Sequence, residues 1–342
     1  MIRNTITRSI LGYRWWHNDP DCLLLGTTTS LTLHEVISAA SIIAMTGGMI
    51  LVSDDLGLLP TERLVILHKI VPPTNVTAIA LDLHCTTQLI PTLLRLCCSD
   101  NLLGKHCISV VKGLGTWTTY SCSNWQTQDT IIYLPLSAVL PSPRQPLSSL
   151  SSTNPNNVNK YGYHVYEFWS SKYTWLSPTT KSYKKNLQPH QTEIFHIKTV
   201  CPSQPQYIGS TFHFSCGYEV ESICYEDDDT SNSSKVQFVD LKLKNDYKRM
   251  KGYVFLYLPF SSSSMSEDEE MVCCVNSSPI DKVEEVARIP MVDDKGNNKG
   301  KFLGRIIKFS LELSGTTSND DINLLHKKDN SKHNNGKIRI KF

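Results

Sequence analysis

Trp15-Trp16-His17-Asn18-Asp19-Pro20-Asp21-Cys22-Leu23-Leu24 is the stretch on which the interpretation of this chain turns. Two carboxylates and an amide crowd a turn that Pro20 stiffens, because its ring holds φ and removes a backbone donor. Aromatic side chains stand immediately before it. A sugar presents apolar ring faces and hydroxyl donors, so aromatic rings beside acidic acceptors suit one. The same residue types also build an ordinary turn in which Asp and Asn side chains cap backbone amides. Residue chemistry alone leaves both readings open.

Upstream, Arg3 to Leu11 has the character of a helix stopped near Gly12, and Tyr13 to His17 predicts a short aromatic strand entering the turn. Downstream, Thr32 and Glu35 form a T-x-x-E capping box, which predicts a helix to about Thr46. Val36, Ala40 and Ile43 share one face of that helix, and Gly47-Gly48 end it. Met49 to Ser53 predicts a buried-type strand followed by Asp54-Asp55. Thr61 to Val71 predicts another helix, terminated by Pro72-Pro73. Helix, strand, helix, strand, helix implies parallel strands joined by crossovers. Polar turns are then expected at the C-terminal ends of both strands, where (β/α) barrels gather their active-site residues.

From about Thr77 the pattern becomes β. Strands are predicted at 78–83, 107–111, 116–121, 130–134, 163–169, 193–198, 210–215, 236–243, 252–258, 301–313 and 337–342. Short strands at this spacing suggest an antiparallel sandwich. The Ser/Pro/Asn-rich segment 141–160, the acidic 226–230, and segments 261–270 and 314–336 cannot bury apolar surface and are expected to be disordered. Trp117, Trp125, Trp169 and Trp175 suit core packing better than a sugar platform, and His190, His196 and His213 suit satisfied structural roles.

With 34 basic and 32 acidic residues among 342, the formal charge of +2 implies no basic face and excludes nucleic acid as a partner class. No apolar run reaches the roughly 18–20 residues that would cross a bilayer as a helix. The eleven cysteines include no CxxC pair of metal-type spacing, so no metal site is expected. Asn75, Asn232 and Asn276 fit the glycosylation sequon, a short pattern that arises often by chance. No secretory segment is visible over Met1 to Tyr13, and the chain reads as starting inside a domain. Compartment and oligomeric state stay open.

The run Trp16-x-Asn18-Asp19-Pro20-Asp21-Cys22-Leu23 resembles the W-x-N-D-P-D-C/M-L segment of melibiase-type α-galactosidases (glycoside hydrolase family 36, clan D). The likeness continues in order through Leu31-Thr32 and Glu35 to Gly48-Met49-Ile50-Leu51-x-Ser53-Asp54-Asp55-Leu56, a block similar to the family's final barrel strand. More loosely, Ser123-Asn124-Trp125, Leu187-Gln188-Pro189-His190 and Ile208-Gly209-Ser210-Thr211-x-His213 are similar to passages of its sandwich domain.

The resemblance implies an α/β plus all-β chain. Residues 1–73 would be the last two (β/α) units of a TIM barrel, 74–260 an antiparallel β-sandwich with the low-complexity insert at 141–160, and 261–342 a low-complexity extension with one or two further strands. It implies substrate contacts from Asp21, Cys22 and Trp16, with Asn18, Asp19, Asp54 and Asp55 structural beside the pocket. The partner would be a terminal α-galactoside or an oligosaccharide, in carbohydrate metabolism, with no cofactor. Retaining glycosidases need two carboxylates about 5–5.5 Å apart, and the family carries both upstream of the Trp-x-Asn segment. The expectation is therefore a fragment of a hydrolase without a catalytic residue of its own. Ser53-Asp54-Asp55 resembles the S-D-D around the acid/base of some members, but its place after the Asn-Asp-Pro-Asp turn puts it on the last strand. Open beside this are a non-catalytic carbohydrate-binding or structural sandwich module, and a relative that transfers galactose or releases N-acetylgalactosamine.

Overall fold

The computed structural model of the chain describes residues 1–85, 89–102, 104–139, 159–227, 237–244, 251–260, 272–275, 278–279, 283–292, 298–312 and 337–341. The expected disordered segments 261–270 and 314–336, and the greater part of 141–160 and 226–230, lie outside them. The chain is mostly β-strand, with few helices and chiefly antiparallel sheets.

Helix α1 (Ile2–Arg8) runs into a 3₁₀ turn, Ser9–Leu11. Strand β1 (Cys22–Leu23), helix α2 (Leu33–Thr46), strand β2 (Leu51–Val52) and helix α3 (Thr61–Ile70) follow. The capping box is complete: Thr32 Oγ1 accepts from Glu35 N–H at 3.3 Å, and Glu35 Oε2 accepts from Thr32 N–H at 2.8 Å. Gly47 ends α2 in the left-handed region at φ 68°, and a Cβ there would lie 2.2 Å from the Val76 carbonyl oxygen. Both demands select glycine. β1 and β2 pair in parallel, Cys22 opposite Leu51, so β1–α2–β2 is a crossover unit.

The aromatic strand expected over Tyr13 to His17 does not form. Tyr13 takes φ 57°, and the backbone satisfies itself locally, with Tyr13 N–H donating to Trp16 O and Arg14 N–H to Leu11 O. A strand of aromatic residues needs cover to bury its rings, yet Trp15 is 79% and Trp16 43% exposed. The strand instead follows the turn. The Asn-Asp-Pro-Asp segment therefore leads into β1, and only Asp54-Asp55 lies beyond its strand's C-terminal end.

The remaining strands are β3 (Ile79–Ala80), β4 (Leu93–Ser99), β5 (Cys107–Ser109), β6 (Thr116–Ser123), β7 (Thr130–Pro135), β8 (Tyr163–Glu167), β9 (Lys172–Leu176), β10 (Ser182–Leu187), β11 (Thr192–Thr199) and β12 (Gln206–Ser210). They continue as β13 (Val220–Asp227), β14 (Gln237–Leu243), β15 (Lys251–Pro259), β16 (Val272–Val275), β17 (Ser278–Pro279), β18 (Val283–Val292), β19 (Asn298–Glu312) and β20 (Lys337–Lys341). A seven-stranded sheet runs β3-β4-β6-β11-β8-β9, with β5 parallel to β4. One face meets the four-stranded sheet β12-β15-β19-β18, where Tyr166 and Phe255 rings lie 5.0 Å apart. The ribbon β7–β10 covers the other face over Tyr120, Leu134, Leu187 and Phe195. Covered on both sides, β6 and β11 are buried at every position.

Two expectations shift. The strand predicted at 210–215 ends at Ser210, and the following buried turn is held by His213, whose Nε2 faces the Pro72 carbonyl at 3.1 Å. Beyond residue 260 the described residues form five strands rather than one or two, and β18 and β19 extend the second sheet. The helical part packs directly on the first sheet: Trp169 Nε1 donates to Ser41 Oγ at 2.8 Å, and Ile42, Ile43, Ile194 and Phe168 belong to one buried cluster.

Candidate functional site

The turn at 18–21 is built around Asn18, which is 5% exposed. Its carbonyl accepts from Met49 N–H at 3.1 Å, so the β1–β2 ladder resumes upstream of the turn. Between this point and the Cys22–Leu51 pair, the first strand takes four residue steps and its neighbour two. Asp19, Pro20 and Asp21 therefore loop out as a bulge, a device that re-aims side chains. Glycines wall Asn18 on both sides. A Cβ on Gly48 would sit 2.3 Å from its carbonyl oxygen, and one on Gly12 would sit 2.6 Å from its Nδ2.

The bulge is held internally. Asp19 Oδ1 accepts from Asp21 N–H at 3.0 Å, an Asx turn, and Asp21 Oδ1 accepts from Cys22 N–H at 2.8 Å. Asp21 adopts φ 67°, a left-handed conformation that Asp tolerates better than most residues. Pro20 is buried beneath the bulge, Asp19 and Asp21 are exposed, and Cys22 is half-buried.

Asp54 and Asp55 are spent on backbone. Asp54 Oδ2 accepts from Leu25 N–H at 2.6 Å, clamping the ends of β1 and β2 together. Arg63 Nη1 closes the same corner, donating to the Leu25 and Gly26 carbonyls at 2.9 and 3.1 Å. Asp55 caps the 3₁₀ turn Leu56–Leu58, accepting from Gly57 N–H at 2.9 Å. The structure thus places Asn18 and Asp54 at the frame, and Asp21 and Trp16 on the surface. Sequence reasoning read Gly12 and Gly48 as helix stops and missed both that they wall Asn18 and the Arg63 corner, because each contact appears only when two segments are brought together.

The buried titratable groups lie elsewhere. His164, His196 and His213 are all held down to about 3 by burial, so they are neutral at ordinary pH. Burial pushes the Glu193 carboxyl up to about 7, while amides of Trp169, Ser170 and Ile194 bond it. Neighbouring Glu167 takes Lys185, Tyr183 and Ser170. This carboxylate pair also escaped the sequence reading, being two single Glu residues on strands β8 and β11. With its oxygens committed to protein donors, it serves the sheet.

The four β-region tryptophans are packed rather than presented. Trp117 is buried, and Trp125, Trp169 and Trp175 are partly buried with Nε1 on Pro91 O, Ser41 Oγ and Tyr161 O. No cluster of three or more His, Cys, Asp or Glu suited to a metal ion occurs among the described residues. No helix among them is long and apolar enough to cross a membrane.

No family model matches the chain, and no curated protein matches it. Similar solved structures are glycosidases. α-Galactosidase I from Mortierella vinacea is 10% identical, with 56% of this chain and 42% of that chain covered and a TM-score of 0.32. A GH27 β-L-arabinopyranosidase from Geobacillus stearothermophilus is 11% identical, at 58% and 41% coverage and a TM-score of 0.35. An α-galactosidase from Saccharomyces cerevisiae, bound to raffinose, is 12% identical, at 54% and 47% coverage and a TM-score of 0.32. The chain spans less than half the length of each, and likeness at this level decides neither fold nor function.

Proposed function

We propose that this chain carries the sugar-facing part of a glycoside hydrolase of the α-galactosidase type, binding a terminal α-galactosyl unit through Asp21, Cys22 and Trp16. In this reading residues 1–73 correspond to the last two units of a (β/α) barrel, and the strands from β3 onward to its sandwich. The observation that carries it is the looped-out Asp19-Pro20-Asp21 bulge, which leaves the Asp21 carboxylate exposed a few residues after the exposed Trp15 and Trp16. Ground-state binding follows from that arrangement: a carboxylate accepts from sugar hydroxyls, and an indole face covers the apolar side of the ring.

Bond cleavage is a separate matter. A retaining mechanism needs one carboxylate to attack and another to deliver a proton, about 5–5.5 Å apart. Asp54 and Asp55 already accept from the backbone amides of Leu25 and Gly57. We assign them to holding the strand ends, and assign no catalytic residue to the chain. A sandwich module binding sugar on its own tryptophans is less well supported, since their indole N–H groups point into the protein.

The test pairs calorimetric titration of methyl α-galactoside and methyl α-glucoside with an aryl α-galactoside turnover assay. The reading expects heat with the galactoside, less with the glucoside, and no turnover above a blank. Turnover abolished by Asp55→Asn would reassign Asp55 as acid/base, and equal binding of both sugars would remove the galactose assignment.

A further inference from the structure

We propose that Cys97 and Cys107 are a redox pair that closes to a disulfide when the chain meets a small-molecule disulfide oxidant. The inference is independent of the carbohydrate reading. Cys97 lies on β4 and Cys107 on β5, directly opposite one another in the parallel register, with their sulfurs 2.7 Å apart. Opposed positions on neighbouring strands bring the Cα and Cβ atoms into the range that a disulfide spans, so closure needs no rearrangement of the backbone. Both thiols are half-buried, which leaves a path for a small oxidant.

Adjacent Cys98 is excluded by the strand's alternation. It points to the opposite face, is fully buried, and its sulfur faces Thr119 Oγ1 and the Ser215 carbonyl. Burial pushes its thiol well up, so it is a poor nucleophile. Within the pair the contact between the two sulfurs holds the Cys107 thiol below its ordinary range and pushes Cys97 up. Cys107 is therefore the attacking thiolate.

The exchange has two steps. Cys107 sulfur attacks one sulfur of the oxidant, whose other half leaves as a thiolate and takes a proton. Cys97 then loses its proton and attacks Cys107 sulfur, expelling the second half as a thiol. Two electrons and two protons pass to the oxidant, and one protein disulfide forms. The bond would fasten a three-residue strand to the sheet one position from His106, whose Nδ1 sits 2.6 Å from the Thr77 carbonyl.

The experiment treats the full chain with oxidised glutathione, alkylates remaining thiols, and digests with trypsin. Cleavage after Arg95, Lys105 and Lys112 separates the two cysteines onto peptides 96–105 and 106–112. The expected product is a reducible cross-link between them, with fragmentation placing it on Cys97, and a midpoint of thermal unfolding raised by about 4 °C from the short loop closed. Cys107→Ser, at a half-buried site, loses both the link and the shift. Two fully alkylated peptides from the oxidised wild-type chain, or a link on Cys98, would overturn the proposal without reference to any variant.

Discussion

Replacing Gly48 with alanine tests whether Asn18 is pinned. The new methyl would lie 2.3 Å from the Asn18 carbonyl oxygen, 2.8 Å from its Cβ and 2.9 Å from its carbonyl carbon. Two of these are backbone atoms, so no rotamer change relieves the contact. Asn18 cannot retreat either, because Gly12 faces its Nδ2 and its carbonyl already accepts from Met49 N–H at 3.1 Å. Overpacking of this kind costs about 1–3 kcal/mol, and loss of the Met49 bond adds about 1 kcal/mol. The expected loss of stability is therefore about 2–4 kcal/mol, measured from urea unfolding midpoints at constant slope. Gly104→Ala is the control, since its nearest neighbour would be Cys107 Cβ at an ordinary 3.8 Å. It should shift stability by less than about 0.5 kcal/mol. If Gly48→Ala proves as stable as the wild type, Asn18 is free to move and the bulge loses its rigid base.

Asp54→Ala should cost about 1–3 kcal/mol, because the buried Leu25 amide loses its acceptor, and Asp54→Asn should recover part of it; urea unfolding measures both. Acid should unfold the chain steeply. His164, His196 and His213 have folded values near 3, well below the unfolded 6.5, so their contribution is present above pH 6.5 and falls as pH drops toward 3. Glu193, raised to about 7, opposes that trend between about pH 4.5 and 7, and Glu219, also raised, opposes it above about pH 4.5, so the slope steepens below pH 4.5. There His164→Gln should flatten the stability-versus-pH slope by about 1.4 kcal/mol per pH unit; an unchanged slope would contradict a buried neutral imidazole.

The helical part was legible because its signals are local. Thr32, Glu35 and Gly47 state the ends of α2 within a few residues, and Pro72 closes α3. Strands β6 and β11 were legible at 116–121 and 193–198, but the burial of both their faces was not, since the run Thr116-Trp117-Thr118-Thr119 is polar by composition and buried throughout. Strand β4, Leu93 to Ser99, was missed because its cysteines and arginine hide the period, and β10 and β13 because their charged residues resemble loop. Tyr13 to His17 misled in the other direction, since aromatic content suggested a strand where only a capped turn forms. The residues proposed to touch sugar were visible in one segment. Their support was not, because Gly12, Gly48, Asp54 and Arg63 converge on that segment from up to 38 positions away.

The most direct test is the affinity for methyl α-galactoside of the wild-type chain against Asp21→Asn. Asparagine tolerates the left-handed backbone and still offers Cys22 an acceptor, so the substitution removes the charge and spares the turn. Loss of a charge-assisted bond of about 1.5–3 kcal/mol predicts a drop in affinity of roughly ten- to a hundred-fold with an unchanged unfolding midpoint. Equal affinity in the two proteins would contradict the assignment of Asp21 to the sugar.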